Sequence, residues 1–436
     1  MSDVANILKW VRETDVKDLP YNVVGLGWGP KIKNGVETGE YCLLFTVSEK
    51  LPLSAIPFEE QIPKYLEVDG SMVRTDVNEP VVCQKLLDDC YSGQPTIYNP
   101  SEPVLSNRKN YRPLKGGISS ISFGGTDATL GLLVRDQTDG QIVALSNNHV
   151  YGGSCVNALI KNTNEDGYTT VLPISSRQPA SISHSPYGSS QQADYIGTCK
   201  RAVVVGDNNP ATSYFIGGIP VIADTSCDAA ILSLKSYDII NNTSGNVVNF
   251  SELAPYEFAT DAEIDSLVNP SSPNYKAPIF RSGRTCGPVG FPGYTNSCNL
   301  SVYQLNSAVV GLYSNTYSNF TNSFFVRGDV VPGRGGDSGS AMFALLSSNV
   351  PSASAWKCIG LLFAGPNVSF PDYTIGCRIT NIANKLKIIP WNTATPTVSS
   401  SKRTIQVPSA QAPGVSIQTY TTTLSGRQYF QVGWLS

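Results

Sequence analysis

The apolar residues Val4, Ile7, Leu8 and Val11 recur at the spacing of one helix face, with Ser2 or Asp3 placed to cap it. The period then shortens. YNVVGLGWGPKIKNG and ETGEYCLLFTVSEK read as two strands turning around Asn34-Gly35, a dipeptide that tolerates the positive φ of a tight hairpin. Prolines at 52, 57 and 63 break up the stretch that follows. Residues 1–80 therefore predict a small α+β domain. Residues 81–112 carry QPTIYNPSEPVLSNRKNYRP and read as a linker, with a short helix over Val81–Leu87.

From about residue 113 the apolar runs become short and evenly spaced. TLGLLVRDQTDGQIVALSNNHV reads as strand, Asp139-Gly140 turn, strand. RAVVV, PVIA, AAILSL, NVVNF, SVYQL, AVVGLY, SFFV, AMFALL, CIGLLFAG and CRITNI follow, separated by Gly, Asn and Ser. Such a series predicts a β-sandwich or barrel. Long amphipathic helices do not alternate with these strands, which argues against a parallel α/β fold. ELAPYEFATDAEIDSLV and NIANKLKII are the helical exceptions. Residues 392–436 form a tail in which VSIQTYTTTL and RQYFQVGW alternate around Ser425-Gly426, the pattern of a hairpin.

Composition narrows the picture. The chain has 436 residues, and only 15% are charged, against about 25% in an average globular protein. Its surface is thus dressed with Ser, Thr, Asn, Gln and Tyr. A net charge of −3 without any Lys/Arg run gives no nucleic-acid footprint. No apolar stretch approaches the ~18 residues of a membrane span. The first residues lack the basic and apolar regions of a signal peptide, so the expected location is the cytoplasm or an assembled particle. Ten scattered cysteines without a CxxC pair read mainly as free, buried thiols, with a disulfide framework as the alternative. With only two histidines, no metal site is expected, and no cofactor motif is present.

The chemistry concentrates in GRGGDSGSAMF, residues 333–343. The stretch is too glycine-rich for a strand interior and too polar for core. It is either a surface turn or a bend that gathers backbone N–H groups around Ser338. A serine nucleophile needs a base, and the base needs a partner that sets its tautomer. His149 closes the alternating strand QIVALSNNH, while His184 lies in the polar loop RQPASISHSPYGSSQQ; His149 is the better base. Asp228 immediately precedes the apolar strand AAILSL and is the first candidate acid. Asp194, in QQADYIGTCKR, is the alternative. Asp337, beside the serine, suits a buried cation that holds the turn.

The order His149 in LSNNHV, Asp228 in DAAILSL and Ser338 in GDSGS resembles the chymotrypsin/trypsin-like serine peptidases. VVGLGWGPK, ATLGLLV, SNNHV, ADYIGT and SGRTCG are similar to segments of bacterial trypsin-like proteins with an N-terminal VVGxGxGxK stretch. The resemblance implies a double six-stranded antiparallel β-barrel over residues 113–391, between the N-terminal domain and the tail. It implies a Ser-His-Asp triad of Ser338, His149 and Asp228, with an oxyanion hole from the N–H groups of Gly336 and Ser338. CIGLLFAG matches the strand that lines the substrate cleft, so Pro332, Phe363, Ala364 and Gly365 are the implied substrate-pocket residues. Departures are visible. Val150 follows the histidine where the family often has a cysteine, and Pro332 stands at the pocket base where an aspartate would pair with a basic substrate side chain. FAG replaces the family's S-W-G.

Two functions compete. One is a serine endopeptidase acting on a polypeptide through an acyl-enzyme. The other is a catalytically silent, structural or virion-associated protein that keeps a peptidase-like barrel and assembles as an oligomer or particle through residues 392–436. A built-in inhibitor or targeting role for residues 1–80 is a third idea.

Overall fold

The computed structural model describes residues 4–20, 22–33, 36–85, 107, 111–122, 128–152, 160–163, 168–171, 175–177, 195–209, 212–216, 219–234, 247–248, 256–290, 299–313, 316–328, 333–346, 356–366, 373–391, 400–403, 417–424 and 427–434. The turn dipeptides Asn34-Gly35 and Ser425-Gly426 and the caps Ser2 and Asp3 lie outside these residues.

The chain is mainly β. Helix α1 (Val4–Glu13) buries Ile7, Leu8 and Val11, the face its spacing marks. Strands β1 (Val23–Lys33) and β2 (Val36–Val47) pair antiparallel. β3 (Tyr65–Val68) and β4 (Ser71–Asn78) form a second antiparallel pair, and β4 runs parallel to β2. Next comes β5 (Val81–Lys85), a strand where the sequence predicts a helix. The β-branched pair Val81 and Val82 aligns with Val309 and Val310, and that partner outweighs a weak local preference.

β6 (Ile118–Ser122), β7 (Ala128–Leu130), β8 (Leu132–Asp136) and β9 (Ile142–Ser146) lead into the one-turn helix α2 (Asn148–Tyr151). β10 (Ile160–Thr163), β11 (Tyr168–Val171), β12 (Ser175–Arg177), β13 (Tyr195–Val203), β14 (Tyr214–Ile216), β15 (Ile219–Thr225), β16 (Ala230–Leu234) and β17 (Glu257–Phe258) follow. Helix α3 (Asp261–Ser266) is started by a capping box in which Thr260 and Glu263 bond each other's backbone N–H. Then come β18 (Ile279–Gly283), β19 (Gly287–Val289), β20 (Ser301–Tyr313), β21 (Thr316–Arg327), β22 (Ala341–Leu345), β23 (Trp356–Gly365) and β24 (Tyr373–Arg378). Helix α4 (Ile379–Leu386) and β25 (Ile388–Pro390) close this part. β26 (Ser400–Arg403), β27 (Ile417–Leu424) and β28 (Arg427–Trp434) make a three-stranded antiparallel sheet of their own.

Among the described residues, strand pairing joins the remaining strands into one sheet of 15 and one of 10, where the resemblance implies two six-stranded barrels. The reason lies in the N-terminal strands. Trp28 pairs with Leu305, which attaches β1 to β20, and β5 inserts between β20 and β23. Parallel pairs also occur, β15 with β21 among them. The core follows the same continuity. Ile7, Trp28 and Phe45 share one cluster with Phe343, Phe363 and Leu386. The rings of Phe343 and Trp356 lie 6.5 and 6.1 Å from that of Phe280. Full burial of an aromatic of this size contributes about 1.5–3 kcal/mol. A smaller cluster around Leu114, Leu130, Tyr151 and Leu232 fills the 10-stranded sheet.

The β8–β9 turn is held by charge. Asp136, fully buried, lies 2.7 Å from Arg201 and 2.6 Å from Lys200, and its Oδ1 accepts from Thr138 N–H at 2.9 Å. Burial pushes its carboxyl up, but the two cations and their hydrogen bonds outweigh it and hold the group below the usual range. A depressed carboxyl stabilises the fold above the unfolded pKa of about 3.9, and that stability disappears as pH falls through the lower folded value. Stability to urea is therefore expected to fall below about pH 4, and Asp136→Asn should flatten that loss. An unchanged acid limb in the variant would contradict the role given to Asp136.

Among the described residues, Cys42, Cys199, Cys227, Cys286, Cys358 and Cys377 are free thiols, and no helix is long and apolar enough to cross a membrane.

Candidate active site

β9 and β16 run antiparallel with Ser146 opposite Ala230. Two residues past the end of each pairing, Asn148 and Asp228 come to the same rim of the sheet. Here α2 begins, with Asn147 as its N-cap. Asn147 donates through Nδ2 to the Asp228 carbonyl at 2.8 Å, and Asn148 donates to the Val203 carbonyl at 2.8 Å. The SNN run before the histidine thus stitches the helical turn to the segment leading into β16 and to β13. His149 sits inside this turn, not at a strand end, and the turn swings its ring onto Asp228. His149 N–H donates to Asp228 Oδ1 at 3.1 Å, and His149 Nδ1 lies 2.5 Å from Asp228 Oδ2. Both residues are buried, with exposures of 8% and 1%. An Nδ1–H held by the carboxylate leaves Nε2 with the lone pair that a base needs.

Ser338 lies in the turn before β22. Gly336 and Gly339 adopt φ values of 86° and 88°, which side chains with a Cβ resist. A Cβ on Gly339 would also stand 2.1 Å from Ser146 Oγ. This tightness has a source in β7. Thr129 N–H donates to the Ser338 carbonyl and Thr129 Oγ1 to the Gly336 carbonyl, each at 2.9 Å. Ser146 Oγ donates to the Thr129 carbonyl at 2.7 Å. One strand thus ties the serine turn to the end of β9, three residues before His149. Ser338 is 2% exposed, and its Oγ makes no hydrogen bond among the described residues, to His149 included. Nor does the N–H of Gly336 or Ser338 donate to another described residue.

Asp337 has a cation. Its fully buried carboxylate lies 3.2 Å from Arg281 Nη2 and accepts from the N–H groups of Thr285, Cys286 and Arg334 at 2.8, 3.1 and 3.0 Å. Burial raises its pKa, but Arg281 and the converging N–H groups prevail and keep it below the usual carboxylate range. Arg281 reaches the turn because β18 pairs with β22, setting Arg281 opposite Met342. The counter-ion of the turn is therefore an internal arginine. Sequence reasoning missed Arg281, Thr129 and Ser146. The only local signal was an arginine embedded in the apolar run APIFRSG, since an arginine facing a core needs a buried acid.

The implied substrate-pocket residues behave differently from one another. The Phe363 ring is fully buried, 5.0 Å from that of Phe320, and belongs to the core. Ala364 and Gly365 are buried and hydrogen-bonded to neighbouring strands. Pro332, the alternative acid Asp194 and His184 lie outside the described residues. No cluster of three or more His, Cys, Asp or Glu side chains suited to a metal occurs among the described residues.

No protein-family model matches the chain, and no curated protein matches it. A solved structure described as a glutamic acid-specific serine protease that uses a novel histidine triad in substrate binding is 13% identical. The alignment covers 64% of this chain and 100% of that one, with a TM-score of 0.34. An overlap of that size carries no argument about what this chain does.

Proposed function

We propose that the chain is a trypsin-like serine peptidase. Ser338 Oγ attacks a peptide carbonyl, His149 Nε2 takes the serine proton and returns it to the leaving amine, and Asp228 holds the ring and stabilises its cation. The oxygen that becomes negative is received by the N–H groups of Gly336 and Ser338, which donate to no other described residue. The buried contact of 2.5 Å between His149 Nδ1 and Asp228 Oδ2 is the observation that carries this reading. A buried carboxylate held on an imidazole, in a chain whose serine turn is tied through Thr129 and Ser146 to the strand leading to that imidazole, has a clear chemical use and little structural need. In this reading the 10-stranded sheet supplies base and acid and the 15-stranded sheet supplies the nucleophile, as in a two-barrel plan whose sheets have grown. The Ser338–His149 hydrogen bond, not made among the described residues, forms when a substrate binds, as such bonds often tighten only in the complex.

A second reading, a silent structural protein that assembles through its tail, is favoured by the burial of Ser338 Oγ and by the separate sheet of β26–β28. A fluorophosphonate reagent separates the two. The peptidase should gain one covalent adduct, found by mass spectrometry on the peptide containing Ser338. A folded chain that takes no adduct favours the structural role.

A further inference from the structure

We propose that β5 occupies the peptide-binding edge of the Ser338 site, so that the chain holds a segment of itself where a substrate backbone would pair. The inference rests on the peptidase reading and adds its regulation. β23 has two sides. β24 covers one of them as far as Ala364, which pairs with Ile375. β22 covers the other from Trp356 to Leu361. At Leu362 the serine turn leaves β23: Gly339 N–H donates to the Leu362 carbonyl at 2.8 Å, and Leu362 N–H to the Ser340 carbonyl at 3.0 Å. Beyond that point the second side of β23 is open to any extended chain, immediately beside the nucleophile's turn. β5 takes it. Ala364 pairs antiparallel with Lys85, and Gly365 with Gln84.

An open strand edge next to a nucleophile binds an extended peptide through its backbone N–H and C=O groups. β5 consumes those same groups. The register also gives a direction. Gln84 lies opposite Gly365 and Lys85 opposite Ala364, so β5 advances toward Leu362 and hence toward the Ser338 turn. The other half of β5 is anchored elsewhere: Val81, Val82 and Cys83 pair in parallel with Val309, Val310 and Gly311. This anchor tethers the strand. A tethered segment competes at an effective concentration of order millimolar, at or above the usual range of KM. Free peptides then meet an edge already paired, while a small acylating reagent needs no strand pairing.

The test is Gln84→Pro, which removes an N–H in the half of β5 that faces β23 and leaves the half on β20 alone. Wild type and variant are compared with a fluorophosphonate and with an internally quenched peptide library. Both should be labelled, and the variant should cleave peptides about tenfold faster or more, chiefly through a lower apparent KM. A peptide copying residues 80–85, PVVCQK, should inhibit the variant in trans. Labelling of both with no gain in cleavage overturns the inference and leaves the peptidase reading standing. No labelling of either overturns the peptidase reading, and the inference with it. If Gln84→Pro lowers the melting temperature of the whole chain, Lys85→Gly, which keeps every N–H but weakens the strand, is measured in its place with the same outcomes.

Discussion

Ser338→Ala is expected to abolish fluorophosphonate labelling and to lower kcat by about 10⁶-fold, with no loss of stability. The stability half of this follows from the resting structure. Ser338 Oγ is buried and bonded to no described residue, so removing it leaves no partner unsatisfied. The activity half follows from the division of labour proposed above. His149→Ala should cost about as much, and the double variant little more, because base and nucleophile act as one unit. Asp228→Asn should lower kcat by about 10⁴-fold while the fold survives. The amide keeps an oxygen for His149 N–H, but its NH2 now faces Nδ1 and forces the proton onto Nε2. Peptide hydrolysis measured on folded protein checks all three. Residual turnover within tenfold of wild type in Ser338→Ala would refute the assignment of the nucleophile.

Asp337→Ala is expected to destabilise the chain more than any other single change near the site, by at least about 3–5 kcal/mol. The substitution leaves Arg281 as a buried charge without its carboxylate, and it strips three backbone N–H groups of their acceptor at once. Arg281→Met should cost less, because Asp337 still accepts from Thr285, Cys286 and Arg334. Removing both should not recover stability, since the three N–H groups stay unpaired even when both charges are gone. The variants that fold should also lose about 10²–10³ in kcat, because the carboxylate fixes the bend that aims the N–H groups of Gly336 and Ser338. Urea unfolding together with kcat per folded molecule reads both effects. If the double variant were as stable as wild type, the pair would be an ornament of the turn and not its support.

The candidate triad was legible because each member carries its own local signal. A glycine-flanked serine, an aspartate heading an apolar strand and a histidine three residues past the end of another can each be read from about ten residues of sequence. The exact seat of His149 was less legible. The alternation ending at Ser146 looks like a strand running into the histidine, and only the Asn147 and Asn148 bonds to Asp228 and Val203 show why a helical turn intervenes. The packing of Phe363 was illegible for a related reason: a motif position says which strand a residue is on, and its neighbour Phe320, far away in sequence, decides which way the ring is buried.

By itself, the sequence determined the β-rich character and the helix face of Ile7, Leu8 and Val11, and it named Ser338, His149 and Asp228 as candidates for a proton relay. These depend on periodicity and on short-range backbone chemistry, which neighbours along the chain specify. Tertiary structure alone decided that β1 and β5 join the sheet of β20 and β23, that Arg281 meets Asp337, and that Thr129 ties the serine turn to β9. Each of these is a contact between distant segments, and its free energy exists only once both partners have been brought together and removed from water. No pattern within either segment records it.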